Sequence, residues 1–189
     1  IYTLSLHDAL PIYHRASAII YKWYNISDRT LSKYCTVSSY GSNGFTDNKT
    51  VLDNEDDAAY VNLGTEWRIP TKEECTRLID NCSWEWSVRN GINGYKVTGP
   101  NGNSIFLPVA GYGNTTQFND YGSRGYIWSS SLKTDYPYSA NMLRFGSSSI
   151  ECSALIRDLL LPIRPVYGES SIISVTGVVR TPAGERQCN

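Results

Sequence analysis

The chain is short of charge, nearly empty of histidine, and without a long apolar run. Charged residues are 19% of its 189 residues, below the roughly 25% of an average soluble domain. Lys and Arg number 17 and Asp and Glu 18, a net charge of −1. There is no basic excess to hold a phosphate backbone, so nucleic acid is not an expected partner. No apolar stretch approaches the ~20 residues of a membrane-spanning helix, and mean hydropathy is −0.33. The two histidines, His7 and His14, do not support a Ser/His/Asp or Cys/His constellation. Gly-x-Gly-x-x-Gly and phosphate-binding loops are missing, and so are Cys-x-x-Cys and zinc-spaced Cys/His clusters. No cofactor or metal is expected. Among the 18 acidic residues no spacing singles out a pair for glycoside cleavage.

The five cysteines, Cys35, Cys75, Cys82, Cys152 and Cys188, are odd in number and leave the redox compartment open. Cys75 and Cys82 fall on one face of a single predicted helix, about 10 Å apart along its axis. That is too far for a disulfide, so both read as small buried hydrophobes and Cys152 as isolated. What the chain does hold is aromatic: 14 Tyr and 5 Trp, the stock of a β-rich, water-facing domain. Its length suits one domain, with or without a small appendage, that hides roughly 70% of its unfolded surface.

The ends read differently from the middle. The chain opens on Ile1, and we take it as a fragment whose export signal lies elsewhere. Residues 2–12, YTLSLHDALPI, resemble the in-frame translation of a short-read sequencing adapter. Residues 1–12 are therefore set aside from functional reasoning. Residues 13–168 form the expected domain, and 169–189 a tail or the start of a further one.

Residues 13–50 are irregular and polar, with Tyr21, Trp23 and Tyr24 grouped, and 41–50 is a loop by composition. Asn54 is placed to cap a first helix through Ala58, Ala59, Val61 and Leu63, ended by Gly64. Glu55, Asp56 and Asp57 then occupy its first turn, where the helix dipole favours negative charge. With Asp53 these carboxylates leave calcium open as an alternative, although the spacing is not that of a calcium loop. Thr71 and Glu74 make a capping box for a second helix, and Cys75, Leu78, Ile79 and Cys82 give it one apolar face. Period-two alternation begins at Trp84, Trp86 and Val88, and turns follow at 90–94 and 99–102. SIFLPVAGY (104–112) reads as a strand buried on both faces. YIWSSS (126–131), ANMLRF (140–145) and IRPVY (163–167) complete the set, the last irregular because of its prolines. The fold class is α+β: two helices followed by short antiparallel strands.

These segments carry a resemblance. LSKYC (31–35), LDNEDDAAYVNLG (52–64), WRIPTKEE (67–74), SWEW, NGINGYKVTGPNGNSIFLPVAGY, GYIWSSSL and IRPVY occur in the order found in the Fibrobacter succinogenes major paralogous domain. The resemblance spans about residues 21–167. It implies a C-type-lectin-like fold, related to formylglycine-generating enzymes and to hypervariable ligand-binding proteins. It also implies an exported or surface protein of Bacteroidota or Fibrobacter, with a lipoprotein or secretion signal upstream. The chain departs from the family at Leu160, where Arg-x-x-Gly would place glycine; a Cβ there threatens a close backbone approach.

Trp67, Trp84, Trp86 and Trp128 are expected to pack core and sheet, and Arg68 and Arg164 to bind carbonyls or the acidic helical segment. The candidate ligand face is the polar, tyrosine-bearing C-terminal half: Tyr112, Asn114, Asn119, Tyr121, Arg124, Tyr126, Tyr136, Tyr138, Asn141 and Arg144. Tyrosine supplies wide contact at low entropy cost, and asparagine and glycine supply adaptable hydrogen bonding. The expected function is a non-catalytic, extracytoplasmic binding or adhesion module for a glycan or protein. The alternatives are a structural envelope domain without a specific ligand and, third, a formylglycine-generating-type or glycan-active enzyme.

Overall fold

The computed structural model describes residues 23–25, 27–114 and 117–169. The expectations for residues 1–12, Tyr21, His14 and the 170–189 tail lie outside them. Among the described residues the chain is mixed α and β, with few helices and strands paired antiparallel. No helix there is long and apolar enough to cross a membrane.

The twelve strands are short at the edges and long in the centre. β1 (Tyr24–Asn25) pairs β2 (Thr30–Leu31), and β3 (Trp67–Arg68) pairs β12 (Val166–Tyr167). β4 (Ser83–Arg89), β5 (Ile92–Thr98) and β6 (Ser104–Pro108) form one three-stranded sheet. β7 (Tyr112–Gly113) pairs β8 (Phe118–Asn119). β9 (Arg124–Leu132), β10 (Ser139–Gly146) and β11 (Ser149–Ile156) form the central sheet, with β10 in the middle. Two helices precede the long strands: α1 (Ala58–Leu63) and α2 (Lys72–Asn81).

The central sheet separates two apolar clusters. Alternation along β9 and β10 sends Tyr126, Trp128, Ala140 and Met142 to one side, against Tyr34, Ala58, Ala59, Ile69, Leu161 and Ile163. It sends Ile127, Leu143 and Phe145 to the other, against Cys75, Tyr95, Val97, Leu107 and Val109. Every residue of β9 after Arg124 is buried. Gly125 is required there, because a Cβ on it would lie 2.1 Å from the ring of Phe145.

The capping box at α2 forms as the spacing predicts: Thr71 Oγ1 accepts from Glu74 N, and Glu74 Oε2 accepts from Thr71 N. Asn54, by contrast, does not cap α1. Residues Asn54–Asp56 make a separate 3-10 turn, and Asp57 is the cap. Asp57 Oδ1 accepts from Ala59 N at 2.8 Å and Tyr60 N at 3.2 Å. Its Oδ2 accepts from Ile69 N at 2.8 Å, a long-range contact that local spacing does not show. Trp128 is fully buried, but Trp86, on the same face of β4 as Trp84 and directly across from Tyr95, is 44% exposed, its ring edge-on to Tyr95. The 104–112 segment is buried on both faces only in part. Leu107, Val109 and Ala110 are buried, whereas Ile105 and Phe106 are half-buried in edge strand β6.

Arg68 closes the domain. Its guanidinium makes two 2.6 Å bonds to Glu74, and its Nε donates to Gly168 O at 2.7 Å. One side chain thus ties β3, the start of α2 and the end of β12. The departure at Leu160 is absorbed across the chain. Leu160 and Gly113 exchange two 2.8 Å backbone bonds, and a Cβ on Gly113 would come within 3.3 Å of Leu160 Cβ. The glycine of the close approach stands on the partner segment.

Two stability predictions follow from these contacts. Gly125→Ala should cost about 3 kcal/mol in urea unfolding, since the buried Phe145 ring has no free space to enter. A cost within about 0.5 kcal/mol would contradict this packing. Burial alone would push the Glu74 carboxyl up, but Arg68 and the Thr71 N–H outweigh it and hold it below its ordinary value. A depressed carboxylate stabilises the fold above the ordinary value, and the contribution is lost as pH falls through the folded-state value. Glu74→Gln should therefore lose about 3 kcal/mol near neutral pH. The gap between variant and wild type should close below about pH 4; a gap constant with pH would reject the assignment.

Candidate functional site

The central sheet presents two ends, and eight of the ten expected ligand residues divide between them. β9 runs from Arg124, opposite Gly146, to Leu132, opposite Ala140. Eight residue steps at ~3.3 Å separate the two ends by about 26 Å.

At one end the 133–138 connection carries Tyr136 and Tyr138. It meets Tyr24 of β1 and Tyr40 of a 3-10 turn. Tyr40 and Tyr138 rings lie 4.6 Å apart, Tyr40 and Tyr136 5.8 Å, Tyr136 and Tyr138 5.8 Å, and Tyr24 and Tyr138 5.6 Å. All four contacts are edge-to-face, the geometry the ring quadrupole favours. Tyr136 is 46% exposed, and the Tyr138 hydroxyl donates to Arg29 O. Burial pushes the Tyr138 phenol up, which keeps it a donor.

The loop beneath these rings is fixed by hydrogen bonds. Tyr136 N donates to Lys133 O at 3.2 Å, and Ser139 N to Tyr136 O at 2.9 Å. Arg157, 3% exposed, lies underneath. Its Nη2 donates to Tyr34 O at 3.0 Å and to Pro137 O. Its backbone N donates to Tyr138 O at 2.8 Å. Desolvation lowers the Arg157 guanidinium to about 10, still high enough to keep its charge at neutral pH.

At the other end, Tyr126 is buried and its hydroxyl donates to Asp120 Oδ2 at 2.5 Å. Tyr112 packs edge-on against it at 5.0 Å. Asn119 pairs with Tyr112 in the β7–β8 ladder. Asn114 Oδ1 accepts from Gln117 N at 2.8 Å and so closes its own turn. Arg124 lies 3.8 Å from Asp120. Tyr121 and Phe118 are 73% and 75% exposed. Asn141 and Arg144 belong to neither end. Asn141 is buried, its amide donating to Ser131 O at 3.2 Å and Leu132 O at 3.0 Å. Arg144 Nε donates to Glu151 Oε1 at 3.1 Å across β10 and β11. Asn141 and Tyr126 are therefore parts of the scaffold and do not reach a ligand face. Their polar tips, read as recognition groups in the sequence, satisfy partners inside the sheet.

The acidic segment has its own answer. Carboxylate oxygens of Asp53, Glu55 and Asp56 lie within 4.8 Å of one another. Lys33 Nζ sits among them at 2.7, 2.9 and 2.5 Å, so an ammonium occupies the position a cation would take. Burial opposes the Lys33 charge, but the three carboxylates raise its pKa well above the ordinary value. Lys33 and Lys49 in turn hold Asp53 below the usual carboxylate range. Asp57 is spent on its cap.

Tyr24, Tyr40 and Arg157 complete the tyrosine end and were not among the expected site residues. Tyr24 was visible as part of an aromatic group; Tyr40 and Arg157 come into place only by long-range contacts. Comparisons with protein-family models, curated proteins and solved structures find no match to this chain.

Arg157→Met should free the 133–138 connection without unfolding the sheet. Amide exchange at Tyr136 and Ser139 should accelerate at least about tenfold, since a buried charged donor is worth about 1.5–3 kcal/mol per bond. Amides of α2 should keep their protection. Unchanged exchange in the connection, or equal acceleration in α2, would remove Arg157 from this role.

Proposed function

We propose that this chain is a non-catalytic, extracytoplasmic binding module whose recognition face is the tyrosine end of the central sheet. Its ligand is a carbohydrate, held by ring faces and edges with hydroxyl groups at the margin. The observation that carries the reading is the convergence of Tyr24, Tyr40, Tyr136 and Tyr138 from three separate segments, on a connection pinned from below by Arg157. Aromatic rings match the apolar C–H faces of sugars, and a face already ordered loses little entropy when it binds. The opposite end supports the reading less well, because Tyr121 and Phe118 stand apart without a ring contact among the described residues.

The order of motifs from LSKYC to IRPVY supports membership in the Fibrobacter succinogenes major paralogous domain family, a C-type-lectin-like fold and a surface location. The carboxylates at hand are engaged in structural pairs: Asp53 and Asp56 with Lys33, Glu74 with Arg68, and Glu151 with Arg144. That favours recognition over acid–base chemistry.

A structural envelope domain without a specific ligand is the second reading. It is favoured by the number of tyrosine hydroxyls spent inside the molecule: Tyr34 on Asp56, Tyr95 on Gly146 O, and Tyr126 on Asp120.

A glycan array separates the two. The wild-type chain should bind a defined set of glycans, and Tyr136→Ala should weaken binding about tenfold, the loss of one well-placed aromatic contact. Its melting temperature should stay within about 2 °C, since Tyr136 is half exposed. No bound glycan at high protein concentration would reject the carbohydrate reading. Binding unaffected by Tyr136→Ala would reject the face.

A further inference from the structure

Cys75 and Cys152 are 77 positions apart in sequence yet adjacent in space, contrary to the expected isolation of Cys152. Cys75 lies on the buried face of α2, 3% exposed. Cys152 stands opposite Leu143 on β11, the outer strand of the central sheet, and packs into the cluster that holds Cys75. Cys152 thus packs against the turn of α2 that carries Cys75. Its sulfur lies 3.5 Å from Thr76 Oγ1 and 3.8 Å from Lys72 O. One turn of α2 therefore surrounds it. A cavity of about 50 Å3, lined by Cys75, Leu78, Leu107, Ile127 and Leu143, borders the inner thiol and gives it room to turn.

We propose that Cys75 and Cys152 are a redox pair that closes into a disulfide, tying α2 to the outer strand of the central sheet. The proposal is independent of any ligand.

The two thiols are unequal, and this sets the order of events. Proximity to Cys75, to Thr76 and to the Lys72 charge brings Cys152 below the ordinary thiol value, against burial and Asp80. The Cys152 charge, burial, Glu74 and Glu73 push Cys75 up. Cys152, half-exposed, is the thiolate that meets an oxidant. The oxidant is a disulfide, either a small molecule or one presented by a thiol–disulfide oxidoreductase. The Cys152 thiolate attacks one of its sulfurs, breaks the S–S bond and expels one thiolate. The Cys75 thiol gives its proton to that thiolate and attacks the Cys152 sulfur, expelling the second thiolate, which takes a proton from solvent. Two electrons pass from the protein to the oxidant; one S–S bond forms in the chain and one is lost. Among the described residues the other thiols compete poorly: Cys35 is buried with its S–H on Val37 O at 3.2 Å, and burial pushes Cys82 up.

The test uses the full chain equilibrated with hydroxyethyl disulfide and alkylated without reduction. Trypsin should yield EECTR (73–77) joined to FGSSSIECSALIR (145–157), lighter than their sum by two hydrogen atoms. Reduction should lower the melting temperature by about 10 °C, the scale expected when a long loop is released in a chain this size. Cys152→Ser, at the more exposed position, should remove both the linked peptide and the redox dependence of melting. Cys82→Ser should preserve both. Should Cys75 prove intolerant of substitution, the pH dependence of Cys152 alkylation remains informative, with a wild-type midpoint below the ordinary cysteine value. Both thiols staying alkylatable in excess oxidant, a link from Cys152 to another cysteine, or a midpoint at the ordinary cysteine value would overturn the proposal.

Discussion

A strand buried on both faces tolerates no unpaired backbone group, and β9 is such a strand. Its ladder with β10 is nevertheless broken: Trp128 faces Met142 and Leu132 faces Ala140, so three serines stand opposite the single residue Asn141. Left unpaired, each buried group would cost about 1–3 kcal/mol. The side chains make up the deficit. Ser129 Oγ donates to Asn141 O at 2.9 Å, and the Asn141 amide reaches Ser131 O and Leu132 O. Ser130 N donates to Pro70 O at 2.9 Å, Ser131 Oγ accepts from Lys72 N at 3.0 Å, and Ser130 O accepts from Leu52 N at 3.0 Å. The bulge thereby recruits the start of α2 and the 50–52 segment to the sheet. The two apolar clusters, the seat of α2 and the placement of both sheet ends all depend on this repair.

The readable parts of the fold were those in which local chemistry and tertiary need agree. The capping box of α2 is one, because Thr71 and Glu74 satisfy each other within one turn and Arg68 only reinforces them. The cap of α1 is a place where they diverge. Asn54 and Asp57 both carry capping side chains, and the choice falls to Asp57 because its second oxygen also takes the N–H of Ile69. Nothing within the DNEDD stretch reports that distant donor. The same holds for Trp86, whose alternation correctly gives it the face of Trp84, against Tyr95, but which stays 44% exposed because the core covers Trp84 and not the next position along edge strand β4. Periodicity states that a strand has two faces; only the packing partner decides which is wet.

The ligand residues were less legible for a related reason. Tyrosine and asparagine in a glycine-rich stretch describe a binding loop and a satisfied β-bulge equally well. Asn141 is the second case: the residue type was noticed, but its amide is committed to a ladder defect that no residue near it in sequence reveals. Tyr136 and Tyr138 stay at the surface, and the partners that group them there, Tyr24 and Tyr40, come from more than 95 residues earlier. The resemblance in motif order pointed to the C-terminal half as a whole. It did not divide that half into two ends about 26 Å apart.

Arg157 shows why the tyrosine end is rigid and not merely aromatic. Its guanidinium is 3% exposed, and its direct bonds run to the carbonyls of Tyr34 and Pro137. A carboxylate in that place would neutralise the charge, as Glu74 does for Arg68. Carbonyl oxygens attract a cation more weakly, and they do so along fixed directions set by the backbone. The cost is visible in the lowered Arg157 value of about 10, since desolvation is only partly offset. In return, one planar group sets the distance between the 133–138 connection and the segment at Tyr34. From Tyr34 the path leads by hydrogen bonds to Asp53 and Asp56, and so to Lys33. Movement of the tyrosine-bearing connection would therefore have to break a buried charge contact and disturb an ion network together. A surface held in this way keeps its shape before anything touches it.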